Sequence, residues 1–338
     1  MNAIVLKELP KDFLFPFTQT RSVLDIRIGI TTLREKWECF SGASVEFSVN
    51  DNAIPVNIIP SYELAQSIIK GESDYSNAQK LEFPWQIFQL TDMAIRNDFE
   101  LLTKNKTSEK LSATNQVISP ENIFVEKGAK IEHAILNAST GPIYISEGAE
   151  IMEGSMIRGP FFLGKESMVK MGGKIYGATS IGKKCVVGGE IKNAVFFDYS
   201  NKAHDGYIGD SVIGAWCNLG AGTSNSNIKN TATDVKVWHQ PSDTFINAGM
   251  KCGLLMGDYS RSAINTSFNT GTVVGTCCNV FGSGFTPKLI KNFSWGFGDS
   301  ARYEFEKAVK DISNWKKLKN ELPDDMEIQN LKHIFENS

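Results

Sequence analysis

From Ile145 the chain places a branched or leucyl aliphatic at every sixth residue. Ile151, Ile157, Leu163, Val169, Ile175, Ile181 and Val187 complete a run of eight. Val125 and Ile131 share the spacing upstream, and Ile213 and Leu219 resume it downstream. With about a quarter of positions aliphatic, such a run arises by chance roughly once in 10⁴–10⁵ trials. A period of six fits neither the 3.6 of a helix nor the 2 of a simple strand. It fits a chain that runs a short strand, turns a corner and runs another, with one large aliphatic pointing inward per face. Glycine follows several of these positions, as in Leu163-Gly164, Ile181-Gly182, Val187-Gly188, Ile213-Gly214 and Leu219-Gly220. Glycine at a corner is expected to tolerate positive φ and close backbone approach. A Gly-rich β-sandwich would instead show period two, with turns every 8–12 residues.

This isoleucine-rich hexapeptide repeat resembles that of the left-handed parallel β-helix proteins. The resemblance implies three hexads per triangular coil, about eight coils over residues 118–285 less an insertion, and assembly as a homotrimer. The expected fold is therefore mainly β: a left-handed parallel β-helix over 111–290, preceded by a small α/β domain (1–110) and followed by a C-terminal helical extension (291–338). In the first segment, Thr31 or Thr32 is predicted to cap a helix beginning Leu33-Arg34-Glu35-Lys36-Trp37. Val45–Val49 alternates as a strand, and 61–70 and 85–97 carry helical periodicity. Beyond residue 299, Phe305, Val309, Ile312 and Leu318 fall on one helical face. Pro323 breaks it, and Ile328, Leu331 and Phe335 begin another.

Composition narrows the class. Of 338 residues 41% are hydrophobic, enough for a sizeable core, and 26 of 29 glycines lie between Gly128 and Gly298. The net charge of −3 gives no basic field to favour nucleic acid or an acidic membrane. Six scattered cysteines form no zinc-ligand spacing and no disulfide framework. No window has the length of a signal peptide or a membrane span. A cytoplasmic protein with no bound metal is the expectation.

Candidate chemistry concentrates at 190–227, where the six-residue rhythm relaxes and Lys192, Asn193, His204, Asp205, Tyr207, Asn218 and Asn227 accumulate. A packed repeat has no structural need for that set. The strings Glu190-Ile191-Lys192-Asn193-Ala194, His204-Asp205-Gly206-Tyr207-Ile208-Gly209-Asp210 and Asn218-Leu219-Gly220-Ala221-Gly222-Thr223 resemble the acetyltransferase half of the bifunctional N-acetylglucosamine-1-phosphate uridyltransferase/glucosamine-1-phosphate acetyltransferase family. The resemblance implies an acyltransferase using acetyl-CoA as co-substrate, with His204 as general base. Lys174, Lys192, Tyr207, Asn218 and Asn227 would hold an amino sugar, sugar phosphate or nucleotide sugar. Ala221, with Gly220 and Gly222, would approach the acyl-CoA. The chemistry is coherent. An imidazole with a pKa near 6.5 suits removal of an amine proton at neutral pH, a lysine suits phosphate, and amides and phenols suit ring hydroxyls. The family's further substrate-binding lysine falls on Thr233, which leaves Lys229 or Lys236 to substitute. An insertion from Trp238 through Met250 adds a loop of open role.

Residues 14–22, Leu-Phe-Pro-Phe-Thr-Gln-Thr-Arg-Ser, are similar to the start of sugar-nucleotide pyrophosphorylase domains. There a Gly-rich loop cradles phosphates; here Glu8-Leu9-Pro10-Lys11-Asp12-Phe13 has no glycine. The segment thus reads as a shortened nucleotidyltransferase-like domain. Two alternatives remain open: a sugar-1-phosphate nucleotidyltransferase dependent on Arg21 and Mg²⁺, with the β-helix as trimerisation scaffold, and a non-catalytic sugar-nucleotide-binding paralogue.

Overall fold

Each hexad forms a two- or three-residue strand and a corner in the computed structural model, which describes residues 3–48, 50, 53–72, 74–298 and 301–338. The strands stack into parallel ladders on three faces. The first face begins with Gln116–Ile118, Ile135–Asn137, Met156–Arg158 and Lys174–Tyr176. The second runs from Ile123–Val125 to Leu289–Ile290 as nine stacked strands among the described residues. The third runs from Lys130–Ile131 to Ser294–Trp295. The expected count of about eight coils falls short because the ladder continues past residue 285 to Trp295.

The eight aliphatics of the six-residue run are all inside, none above 2% exposed. They form one column-packed core with Phe161, Phe196, Cys217 and Phe268, each large side chain contributing about 1.5–3 kcal/mol. The glycines after them are there for proximity alone. A Cβ on Gly164 would lie 2.5 Å from the backbone of Gly182, and one on Gly220 would lie 2.6 Å from that of Ala263. Neither has positive φ. The left-handed position of the corner instead falls two residues later, on Glu166, Lys184 and Trp216, with φ of 55°, 52° and 59°.

The N-terminal segment builds a three-stranded parallel sheet ordered Val45–Ser48, Ile4–Lys7, Ile54–Pro55. Val49, expected in the first of these, lies outside the described residues. Helix α1 (Leu33–Ser41) starts at Thr32, whose hydroxyl accepts from Glu35 N while the Glu35 carboxylate accepts from Thr32 N. This is a reciprocal capping box. Helices α2 (Tyr62–Ile69), α3 (Gln86–Gln89) and α4 (Thr91–Thr103) follow. The domain lies along the second face. Val195, Val212, Leu255 and Val273 join its core, while Ile95 of α4 packs with Phe124, Tyr144 and Phe162. The insertion forms a hairpin, Lys236–His239 with Thr244–Asn247. Its Val235 and Val237 enter the same core, and Gln89 Nε2 donates to Ala248 O at 3.3 Å. It buttresses this chain's own N-terminal domain.

Helices α5 (Phe305–Lys317) and α6 (Asp325–Glu336) cover the corner between second and third faces through Tyr259, Cys277 and Phe293. Leu318, expected on the buried face, is 74% exposed, because α5 ends one residue earlier and Leu318 serves as its C-cap. The middle of the first face is left open. No helix among the described residues is long and apolar enough to cross a membrane.

Candidate functional site

The first face alternates inward aliphatics with outward polar groups, so its register decides which polar side chains meet. Lys174, Glu190 and Tyr207 pair in successive rungs, as do Tyr176, Lys192 and Gly209. The two columns flank the buried Ile175, Ile191 and Ile208. Tyr176 Oη donates to Glu190 Oε1 at 2.6 Å. That bond, then burial, pushes its phenol up to about 12. Lys192 Nζ sits 5.6 Å from the Tyr176 ring centroid, within cation–π range. Asn227 Nδ2 donates to Tyr207 Oη at 3.1 Å and also to Asp210. Asp210 accepts in addition from Asn193 Nδ2 at 2.7 Å. Burial, followed by the Asp210 charge, raises the Tyr207 phenol above its ordinary range. It remains a neutral hydroxyl able to donate.

His204 occupies the corner between the third-face strand Asn201–Lys202 and the first-face strand beginning at Tyr207. It is exposed. Gly222 N donates to Asp205 O at 2.9 Å, so the turn 220–222 lies directly on the His204 turn, with Ala221 one rung above the histidine. His204, Gly220, Ala221 and Gly222 thus form this corner, Lys174 and Tyr207 stand in the first-face column next to it, and Lys192 stands in the far column, with Asn227 bonded to Tyr207. Asn218 stands apart. It lies on the third face in register with Asn201 and Arg261. Those neighbours meet the C-terminal segment, where Lys319 Nζ donates to Asn201 Oδ1 at 3.1 Å and Arg261 lies 5.4 Å from the Trp315 ring.

Several participants are not apparent from motif spacing. Asp210 organises two of the amides, and Glu190 organises Tyr176. Lys288, on the last coil, donates to Lys236 O at 3.2 Å. Burial, then neighbouring Lys229, lowers its pKa. Lys229 itself donates to Asp234 O. The two ammonium groups thus lie within electrostatic reach of each other, while Thr233 is exposed and bonded to Thr231 at 3.0 Å. Lys202 is the least expected. It points into the coil, fully buried, and donates to three backbone carbonyls, those of Gly188, His204 and Asp205. Stepping back six residues from Ile208 lands on it, a signal that an inward position holds a charge.

The N-terminal motif has a different occupation. Thr20 Oγ1 donates to Asp258 Oδ2 at 2.6 Å, and Arg21 donates to the same oxygen. The guanidinium lies 4.8 Å from the Phe197 ring. Gln19 Oε1 accepts from Asn292 at 2.8 Å. These residues clamp the domain to the β-helix.

Parts of the chain are similar to known proteins. A family model described as sugar nucleotidyl transferase matches residues 5–52. The bifunctional protein GlmU of Methanococcus maripaludis is 31% identical over 169 residues, covering 47% of this chain and 40% of that one. A bifunctional sugar-1-phosphate nucleotidylyltransferase/acetyltransferase of Sulfurisphaera tokodaii is 29% identical over 192 residues, covering 56% and 44%. The alignments span less than half the length of these relatives. Among solved structures, the polySia specific acetyltransferase NeuO overlaps 56% of this chain and 81% of its own, at 10% identity and a TM-score of 0.29.

Proposed function

We propose that this chain is an acyl-CoA-dependent acyltransferase, most simply an acetyltransferase, acting on the amine of a phosphorylated or nucleotide-linked amino sugar. The carrying observation is the exposed His204 imidazole on the corner that leads into the strand of Tyr207, whose hydroxyl meets Asn227, with the Gly220–Gly222 turn stacked above the corner. The names of the relatives support the same reading.

In this reading the sugar amine attacks the thioester carbonyl, the C–N bond forms, and the C–S bond breaks as the tetrahedral intermediate collapses. His204 takes the amine proton, and the departing thiolate is protonated to free thiol. A backbone N–H of the 220–222 turn stabilises the oxyanion. Tyr207 and Asn227 hold ring hydroxyls, while Lys174 and Lys192 neutralise phosphate. The open first face carries exposed apolar Ile118, Ile135 and Met156 below the site. A homotrimer that buries this face would place His204 in a groove between copies. The protein then acts in the cytoplasm, and Mg²⁺ is needed only by the rival nucleotidyl chemistry. Arg21 is committed to Asp258, and residues 8–13 offer no glycine cradle, which weighs against that rival.

The test supplies acetyl-CoA with glucosamine-1-phosphate, galactosamine-1-phosphate and nucleotide-linked amino sugars, and reads thiol release. A parallel arm supplies UTP or dTTP, a hexose-1-phosphate and Mg²⁺, and reads pyrophosphate. Thiol without pyrophosphate is expected. Absence of thiol with every acceptor, or pyrophosphate production that depends on Arg21, would overturn the reading.

A further inference from the structure

Along the third face, the inward positions beneath and above the His204 corner are Ile151, Val169, Val187 and Leu219, all buried aliphatics. Between the last two the position is Lys202. An ammonium in an apolar core is costly unless fully hydrogen-bonded, and an aliphatic would fill this position without that cost. The side chain has three N–H donors, and three backbone carbonyls receive them: Gly188 in the coil beneath, and His204 and Asp205 in the corner itself.

The coil is also shorter here. Fifteen residues separate Val187 from Lys202, against eighteen between Val169 and Val187. The shortened coil brings the His204 corner down onto Gly188 and Gly189. A Cβ on Gly189 would lie 2.8 Å from His204 O, and one on Gly188 would meet the Ala203 carbonyl. The corner is therefore held from inside by an amine and seated from below on two glycines. None of these groups faces the open edge where a substrate would lie.

We propose that Lys202 is a positioning residue, which fixes the backbone of the His204 corner from inside the coil so that the imidazole projects in a single orientation over the first-face edge. The assignment rests on His204 being the base, yet the positioning itself is a property of the corner and is measurable without any reaction.

Two readouts separate these points. In thiol release, Lys202→Met is expected to lower kcat at least ~10-fold, the scale of a misplaced catalytic group. KM for acetyl-CoA should stay within about twofold, as uniform binding is untouched. In a His204→Ala background, Lys202→Met should cost nothing further, because it acts through that side chain. An equal loss in both backgrounds, or no loss in either, would overturn the proposal. In NMR spectra of the four imidazoles, with His204 assigned by His204→Ala, Lys202→Met should shift or split the His204 signals and leave those of His239 in place. Unmoved His204 signals would overturn the positioning role even if no transferase activity were found. Gly189→Ala is the second variant, should Lys202→Met not fold. It disturbs the corner from outside the core and is expected to give the same NMR pattern and the same dependence on His204.

Discussion

At the scale of single residues, the candidate site was legible where chemistry protrudes and hidden where it serves the backbone. His204, Tyr207, Lys192 and Asn227 interrupt an apolar rhythm with groups a packed coil does not require, so they stood out in the sequence. Lys202 occupies an inward register position, and its partners are main-chain carbonyls that no sequence spells out. Asn218 lies elsewhere in the single chain: the resemblance groups it with Tyr207, whereas the register sets it on the third face beside the C-terminal helices. Lys202 also carries a pH signature. Burial lowers its pKa to about 8, opposed by the Asp205 charge. Below pH 8 folded and unfolded chains both hold the proton, and stability is independent of this group. Between 8 and the ordinary lysine value of 10.5 the unfolded chain binds the proton and the folded one does not, so stability rises with pH. Denaturation midpoints from pH 7 to 10 are expected to climb for the wild type relative to Lys202→Met. A constant difference across that range would contradict the assignment.

At the scale of elements, the six-residue period identified the coil because each inward aliphatic is a separate burial event and the spacing survives in the primary sequence. The corner geometry was only half visible. The glycines marked where adjacent backbones touch, but at the Gly164, Gly182 and Gly214 corners the positive-φ site lies two residues on and is filled by Glu166, Lys184 and Trp216, since the stacked coils above and below over-determine it. Such a residue costs about 1–2 kcal/mol, and glycine's greater unfolded freedom returns about 0.5–1. Glu166, exposed at φ 55°, is the cleanest place to measure this. Glu166→Gly should stabilise by about 0.5–1 kcal/mol. Glu166→Val, stiff at χ1, should destabilise by about 1 kcal/mol or more. Chemical denaturation of the two variants decides it, and loss of stability in both would show that the corner needs the carboxylate. The C-terminal helices were legible as amphipathic pairs. The exposed Leu318 was not, because periodicity gives no stop signal between Lys317 and Leu318.

At the scale of the whole molecule, sequence showed three pieces and could not show how they join. Arg21 and Asp258 stand 237 residues apart, and the outward Val195, Val212 and Leu255 read as ordinary strand residues until the N-terminal domain covers them. That joining allocates the faces. The N-terminal domain takes the second, the C-terminal helices take the corner behind it, and the edge that bears His204 is left accessible with its lysines and amides. In the same arrangement Thr20 and Arg21, within the nucleotidyltransferase-like stretch 14–22, bind a β-helix carboxylate. The most direct measurement is the rate of thiol release from acetyl-CoA in the presence of an amino-sugar phosphate, for the wild type and for His204→Ala. The account predicts acceptor-dependent release that falls at least ~10²-fold in the variant; equal rates in the two proteins would contradict it.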